Sequence, residues 1–236
     1  MPAELVVVRH GESTANAAFA VAEAAGLVDS GITGRDADVP LSPLGRAQAR
    51  GLGRWLAGLS GDRFPEVVLC SPYRRARQTL EIAFDELRAA GRAVPEPIVD
   101  ARLRDRETGE LELLTSTAIR RRFPAEAARR AATGEFDYRP PGGESMMDVA
   151  ARLRELYGDV AAEFAGRRVF AVAHDAVVLM LRHVVEGLSP QDLDRVVAAG
   201  PVRNASVTRW VRDGDRLGLR EYNMVPENSR AGGDGG

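Results

Sequence analysis

Apolar positions along this chain fall into two patterns. Short, unbroken β-branched runs alternate with longer stretches in which apolar residues recur every three or four positions. ELVVVRH, residues 4–10, is the first run, and its lack of alternation predicts a strand buried on both faces, as in a parallel sheet. VVLC (67–70), PIVD (97–100) and VFAVAH (169–174) predict three more strands. Helical spacing is found over 16–25, from Ser42-Pro43, from Ser71-Pro72 to about 88, near 117–122, over 124–132, from Ser145 to about 164, over 176–185, and from Ser189-Pro190 to Gly200. Ser42, Ser145 and Ser189 are suited to cap their helices, and a proline in the first turn loses no needed hydrogen bond. In the helix after Ser42, Leu44, Ala47, Leu52, Trp55 and Leu56 recur at helical spacing. Residues 26–39 are glycine-bearing and 103–112 highly charged, both without periodicity, so both read as loops. Asp213-Gly214 between 205–212 and 216–222 predicts a terminal hairpin.

Strands alternating with helices imply a three-layer α/β/α fold around a mostly parallel, mixed sheet. A single domain over 1–226 is expected, with a cap insertion near 108–139 and a disordered polar tail at 227–236. In such sheets ligands bind beyond the carboxyl ends of the strands. Arg9-His10-Gly11 follows the first strand, residues 71–77 the second, 100–107 the third and His174-Asp175 the fourth. Two histidines and several arginines around one spot suit a phosphate dianion, because the guanidinium fork matches phosphate oxygens and stays protonated.

Composition removes several alternatives. With 44% hydrophobic and 28% charged residues, the 236-residue chain is not disordered. A formal charge of −2 carries no protein-wide basic footprint, so no nucleic-acid partner is expected. Cys70 is the one cysteine, which excludes an intrachain disulfide and a cysteine-built zinc site and points to a reducing, cytoplasmic compartment. The longest apolar stretch, 169–188, is broken by His174, Asp175, Arg182, His183 and Glu186, so no membrane span is expected. No HExxH, EF-hand or GxGxxG pattern occurs, and neither a metal nor a cofactor is expected.

Arg9-His10-Gly11-Glu12-Ser13 with Asn16 resembles the signature of the histidine phosphatase superfamily, also called phosphoglycerate-mutase-like. The resemblance extends over roughly 5–210. It includes Pro40-Leu41-Ser42 with Gly45 and Gln48, the segment from Ser71 to Thr79, residues 141–145, His174, and residues 204–208. It implies that His10 is the nucleophile and becomes phosphohistidine, and that Arg9 and Arg75 bind the phosphoryl group. It also implies that His174 is the second pocket histidine and that Ser13 and Asn16 line the pocket mouth. Arg75 is preferred to Arg74 because it directly precedes Ala76. The proton donor is open among three carboxylates. Asp105 stands where the family often has a glutamate, four residues before Gly109, and is one methylene shorter. Glu107 lies two residues on, and Asp175 matches the donor of a distant branch.

Bland readings cover the other candidates. Arg120 to Arg122, Arg129 and Arg130 read as solvated helix faces. His183 reads as packing, Cys70 as an inert small hydrophobe, and Met146-Met147 as core or helix surface. The leading expectation is a metal-independent phosphomonoester phosphatase for a small phosphorylated substrate, with a homodimer left open. The alternatives are a phosphoglycerate-type mutase and a non-catalytic phosphate-ester-binding protein. The segment from Leu103 to Gly109 departs from the mutase pattern, and the Asp105 replacement is the only support for a degenerate site.

Overall fold

The computed structural model describes residues 1–227. Of the tail expected at 227–236, all but Glu227 lies outside the described residues. The chain forms β1 (Glu4–Arg9), α1 (Thr14–Ala24), α2 (Pro43–Ala57), β2 (Val67–Cys70), α3 (Arg74–Ala89), β3 (Pro97–Val99), α4 (Ser116–Arg122), α5 (Pro124–Thr133), α6 (Met146–Glu163), β4 (Arg168–Ala173), α7 (Asp175–Glu186), α8 (Pro190–Ala198), β5 (Val207–Asp213) and β6 (Arg216–Met224). A short 3-10 turn, Ala101–Leu103, leads into the charged stretch read as a loop, and a second, Gly109–Leu111, lies within it. Ser42, Ser145 and Ser189 each accept a hydrogen bond from a first-turn backbone N–H, as their sequence positions predict.

One six-stranded sheet runs in the order β3-β2-β4-β1-β5-β6. The first four of these are parallel, and β5 and β6 add an antiparallel hairpin. Successive side chains of a strand point to opposite faces. On β1, Leu5 and Val7 therefore join a core with Val149 and Leu153 of α6 and Val177 of α7. Val6 and Val8 join a second core with Leu52 of α2 and Leu80 and Phe84 of α3. The same division on β2 and β4 is why these strands read as continuous apolar runs. The result is a three-layer α/β/α architecture. At the sheet edge, β3 leaves Ile98 and Val99 exposed.

The layers leave the strand ends of β1 and β4 side by side, paired in register as far as Arg9 and Ala173. Helix α2 approaches the turn after β1 so closely that a Cβ on Gly45 would lie 1.9 Å from the Glu12 carbonyl. Only glycine fits there, so Gly45 fixes the height of the loop that carries His10.

Candidate active site

His10 lies one residue past β1 and is 2% exposed. Its backbone is held from both sides: the His10 N–H donates to the Ala173 carbonyl at 2.9 Å, and the Ala205 N–H donates to the His10 carbonyl at 3.1 Å. The imidazole Nδ1 is 2.7 Å from the Gly11 carbonyl. A carbonyl only accepts, so Nδ1 carries the proton and Nε2 keeps its lone pair. Burial, then the positive charges of Arg75, His174 and Arg9, holds the His10 pKa well below its ordinary value. The ring is therefore neutral, with a free Nε2 aimed at the Arg75 Nε, which donates to it at 3.1 Å.

His174, fully buried, stands at the position just before α7 at the neighbouring strand end. Its Nε2 is 2.7 Å from the Ser71 hydroxyl at the end of β2. Its Nδ1 lies 3.3 Å from Asp105 Oδ2, close enough for charge attraction but without hydrogen-bond alignment. An acceptor-only carboxylate opposite Nδ1 favours the Nδ1–H tautomer, leaving Nε2 to accept from Ser71. Burial lowers the His174 pKa, and Asp105 only partly offsets it.

Asp105 and Arg75 complete the floor. Arg75, 3% exposed, donates from Nη2 to Asp105 at 2.8 Å. It also grips Asp36 in a fork, Nη1 to Oδ1 at 3.1 Å and Nη2 to Oδ2 at 2.9 Å. Burial works against ionisation of Asp105, but the neighbouring His174 and the Arg75 guanidinium outweigh it and hold the carboxyl well below the usual carboxylate range. The Asp105 backbone is anchored by Arg152 of α6, whose Nη2 donates to the Asp105 carbonyl at 3.1 Å. Gly109 keeps the same loop tight: it sits at φ +55°, and a Cβ there would lie 2.1 Å from the Pro141 carbonyl.

The remaining candidates are spread around this floor. Arg9 Nη2 meets Asp175 Oδ2 at 3.2 Å. Ser13 and Asn16 line the same cavity, but Ser13 Oγ accepts from the Asn16 N–H and Asn16 Oδ1 from the Ser13 N–H, so both also cap α1. Glu107 points to Arg104 at 3.5 Å and is half exposed. His183 Nδ1 contacts the Leu188 carbonyl, away from the site. Cys70 is buried and its thiol is pushed up to about 12 by desolvation, the behaviour of an inert side chain. Met146 is core and also faces the cavity.

Above the floor opens a cavity of about 860 Å³. Residues from segment 108–139 form much of its wall, among them Leu113, Leu114, Ile119 and Arg130. His10, Asp105 and His174 bring one ligand atom each within 4.8 Å of one another, a spacing that could hold a metal ion. The guanidinium of Arg75 already faces two of these three, and a divalent cation would have to displace it. The donor set therefore fits an anion held on arginine better than a metal.

The model of the histidine phosphatase superfamily, branch 1, matches residues 5–225. This chain belongs to that superfamily. A relative named 2,3-bisphosphoglycerate-dependent phosphoglycerate mutase 2, from Gloeobacter violaceus, is 32% identical over 199 residues, covering 81% of this chain and 80% of its own. The solved mycobacterial glucosyl-3-phosphoglycerate phosphatase in complex with VO3 is 29% identical with a TM-score of 0.70, covering 94% of this chain and 99% of its own. Bacillus stearothermophilus YhfR is 25% identical with a TM-score of 0.75, over 97% and 100% of the two chains.

Two polar partners in this superfamily member escaped sequence reasoning. Asp36 lies in the glycine-bearing loop, 39 positions from Arg75, where nothing periodic marks it. Ser71 was visible as part of a motif, but its contact with His174 spans 103 positions.

Proposed function

We propose that this protein is a metal-independent phosphomonoester hydrolase that works through phosphohistidine on His10. The observation that carries the reading is the buried, neutral His10 with its tautomer fixed by Gly11, facing Arg75, Asp105 and His174 at the bottom of an open cavity. In the proposed first step, His10 Nε2 donates its lone pair to phosphorus while the P–O ester bond breaks. Arg9 and Arg75 hold the equatorial oxygens, where transfer of a phosphoryl group concentrates charge. Asp105 gives the leaving alkoxide its proton. In the second step Asp105 takes a proton from water, the water oxygen bonds phosphorus, and the N–P bond breaks to release inorganic phosphate.

The depressed Asp105 pKa bears on this assignment. In the empty site the carboxylate is ionised and cannot act as an acid. A phosphate dianion on Arg75 would take away its partner and add negative charge beside it. Both effects raise the Asp105 pKa, so the dianion itself would turn the resting base into the acid.

The mutase reading draws on the names of the curated relatives. A glycerate substrate needs free cations for its carboxylate and second phosphate. Four arginines line the cavity, Arg9, Arg75, Arg106 and Arg130, and each has a carboxylate partner: Asp175 for Arg9, Asp36 and Asp105 for Arg75, and Glu135 for the last two. That pairing favours the hydrolase. The deciding assay compares phosphate release from p-nitrophenyl phosphate with interconversion of 2- and 3-phosphoglycerate, with and without a strong chelator. Chelator-resistant phosphate release is expected. Isomerisation without net phosphate release would make the protein a mutase, and loss of activity on chelation would overturn metal independence.

A further inference from the structure

We infer that the preferred substrates are phosphomonoesters whose alcohol carries a bulky apolar group, alkyl or aryl, held above the phosphate by the cavity wall. The inference deepens the phosphatase reading and rests on it for turnover. The cavity, at about 860 Å³, is in the upper range of sites that enclose a drug-sized ligand. A three-carbon acid would fill little of it. Phe19 of α1, Leu113, Leu114, Ile119 of α4 and Val197 of α8 all line it, and none belongs to either hydrophobic core. The first four are half-buried, so each keeps apolar surface open to the cavity. Val197 is 49% exposed at the rim.

Leu113 adds an independent observation. Its φ is +58°, in the left-handed region that a leucine occupies only against a steric clash. In an extended segment, consecutive side chains point to opposite sides. Here the left-handed residue brings both Leu113 and Leu114 to the cavity. Backbone strain at a bulky residue tends to be kept where it serves a site. Charge agrees with shape. The four cavity arginines are matched in number by four cavity carboxylates, Asp36, Asp105, Glu135 and Asp175, so the lining carries no formal excess of positive charge for a second acidic group.

The test is a series of ethyl, butyl and hexyl phosphates, which share a leaving-group chemistry and differ only in apolar length. A buried methylene is worth ~0.8 kcal/mol, or about fourfold, so kcat/KM should rise by about two orders of magnitude from ethyl to hexyl. Hexyl phosphate should also exceed 3-phosphoglycerate. A flat series, or a preference for 3-phosphoglycerate, overturns the inference. Leu113→Gly removes a wall side chain at a backbone angle that glycine prefers, so the fold, followed by thermal melting, should hold. Its hexyl-to-ethyl ratio should fall about tenfold, and an unchanged ratio in a folded variant counts against the wall. Alkylphosphonates, which cannot be hydrolysed, separate the two layers of the argument. Affinity that rises with chain length while no ester is turned over would leave the apolar site standing and remove the phosphatase. Turnover of all esters without dependence on length would do the reverse.

Discussion

Replacing Asp105 by asparagine keeps the side chain's shape and removes its proton exchange. The carboxylate lies 2.8 Å from Arg75 Nη2 and has an oxygen within 4.8 Å of a His10 ring nitrogen, so an ester oxygen leaving a phosphorus bonded to His10 would depart beside it. A poor alkoxide needs its proton in the transition state, and general acid catalysis is worth about 10²–10⁴-fold. A nitrophenolate leaves without that help. The Asp105→Asn variant should therefore lose about 10²–10⁴-fold in kcat/KM for an alkyl phosphate. It should change little for p-nitrophenyl phosphate. Neutralising Asp105 also removes a competitor for Arg75, but that benefit reaches both substrates and cancels in their ratio. The parameter kcat/KM is the right readout because it excludes breakdown of the phosphoenzyme. That later step should slow as well, giving a burst of nitrophenolate close to one per enzyme in stopped flow. Equal loss for both substrate classes would refute the reasoning. So would leaving-group dependence appearing in Asp175→Asn or Glu107→Gln, whose carboxylates instead face Arg9 and Arg104.

Three further outcomes follow from the geometry. Asp36 competes with substrate phosphate for Arg75, so Asp36→Asn should lower the inhibition constant of inorganic phosphate about tenfold, in line with a charge-assisted hydrogen bond; weaker inhibition would mean that Asp36 instead holds Arg75 in place. Gly45→Ala should cost about 1–3 kcal/mol in chemical denaturation and lower kcat, because its Cβ meets the Glu12 backbone; a neutral result would show that the α2 contact does not set the His10 loop. His10 and His174 both have folded pKa values below the unfolded value, so the unfolded chain binds more protons as pH drops. Stability should be intact above about pH 6.5 and fall below it by about 1.4 kcal/mol per pH unit for each histidine. The pH dependence of unfolding in His10→Asn should be shallower by one proton, and an unchanged slope would contradict the assignment.

How much of this was legible in the sequence depends on the range of the interaction. Strands β1, β2 and β4 were readable because each serves two cores and so carries an unbroken apolar run, 5–8, 67–70 and 169–173. Ser42, Ser145 and Ser189 were readable because a cap acts within three residues. The hairpin was found, but β6 runs on to Met224, past register shifts at Arg209 that depend on cross-strand pairing. The segments that carry His10, Arg75, Asp105 and His174 could be placed together because strand ends converge in a parallel sheet, and the family resemblance singled out these residues within them. The fork between Asp36 and Arg75, and the apolar wall around Leu113, arise from long-range placement of loops that have no periodicity of their own. Arg130, read as part of a solvated face, instead lines the cavity and pairs with Glu135.

The central claim is a covalent phosphate on His10, and rapid quenching of Asp105→Asn with a 32P-labelled aryl phosphate tests it most directly. Label should approach one phosphate per chain, stable in base and lost in acid, recovered on the peptide that contains His10 and absent from the His10→Asn, Asp105→Asn double variant. Label on another residue, or turnover of the ester with no covalent phosphate at any quench time, would contradict it.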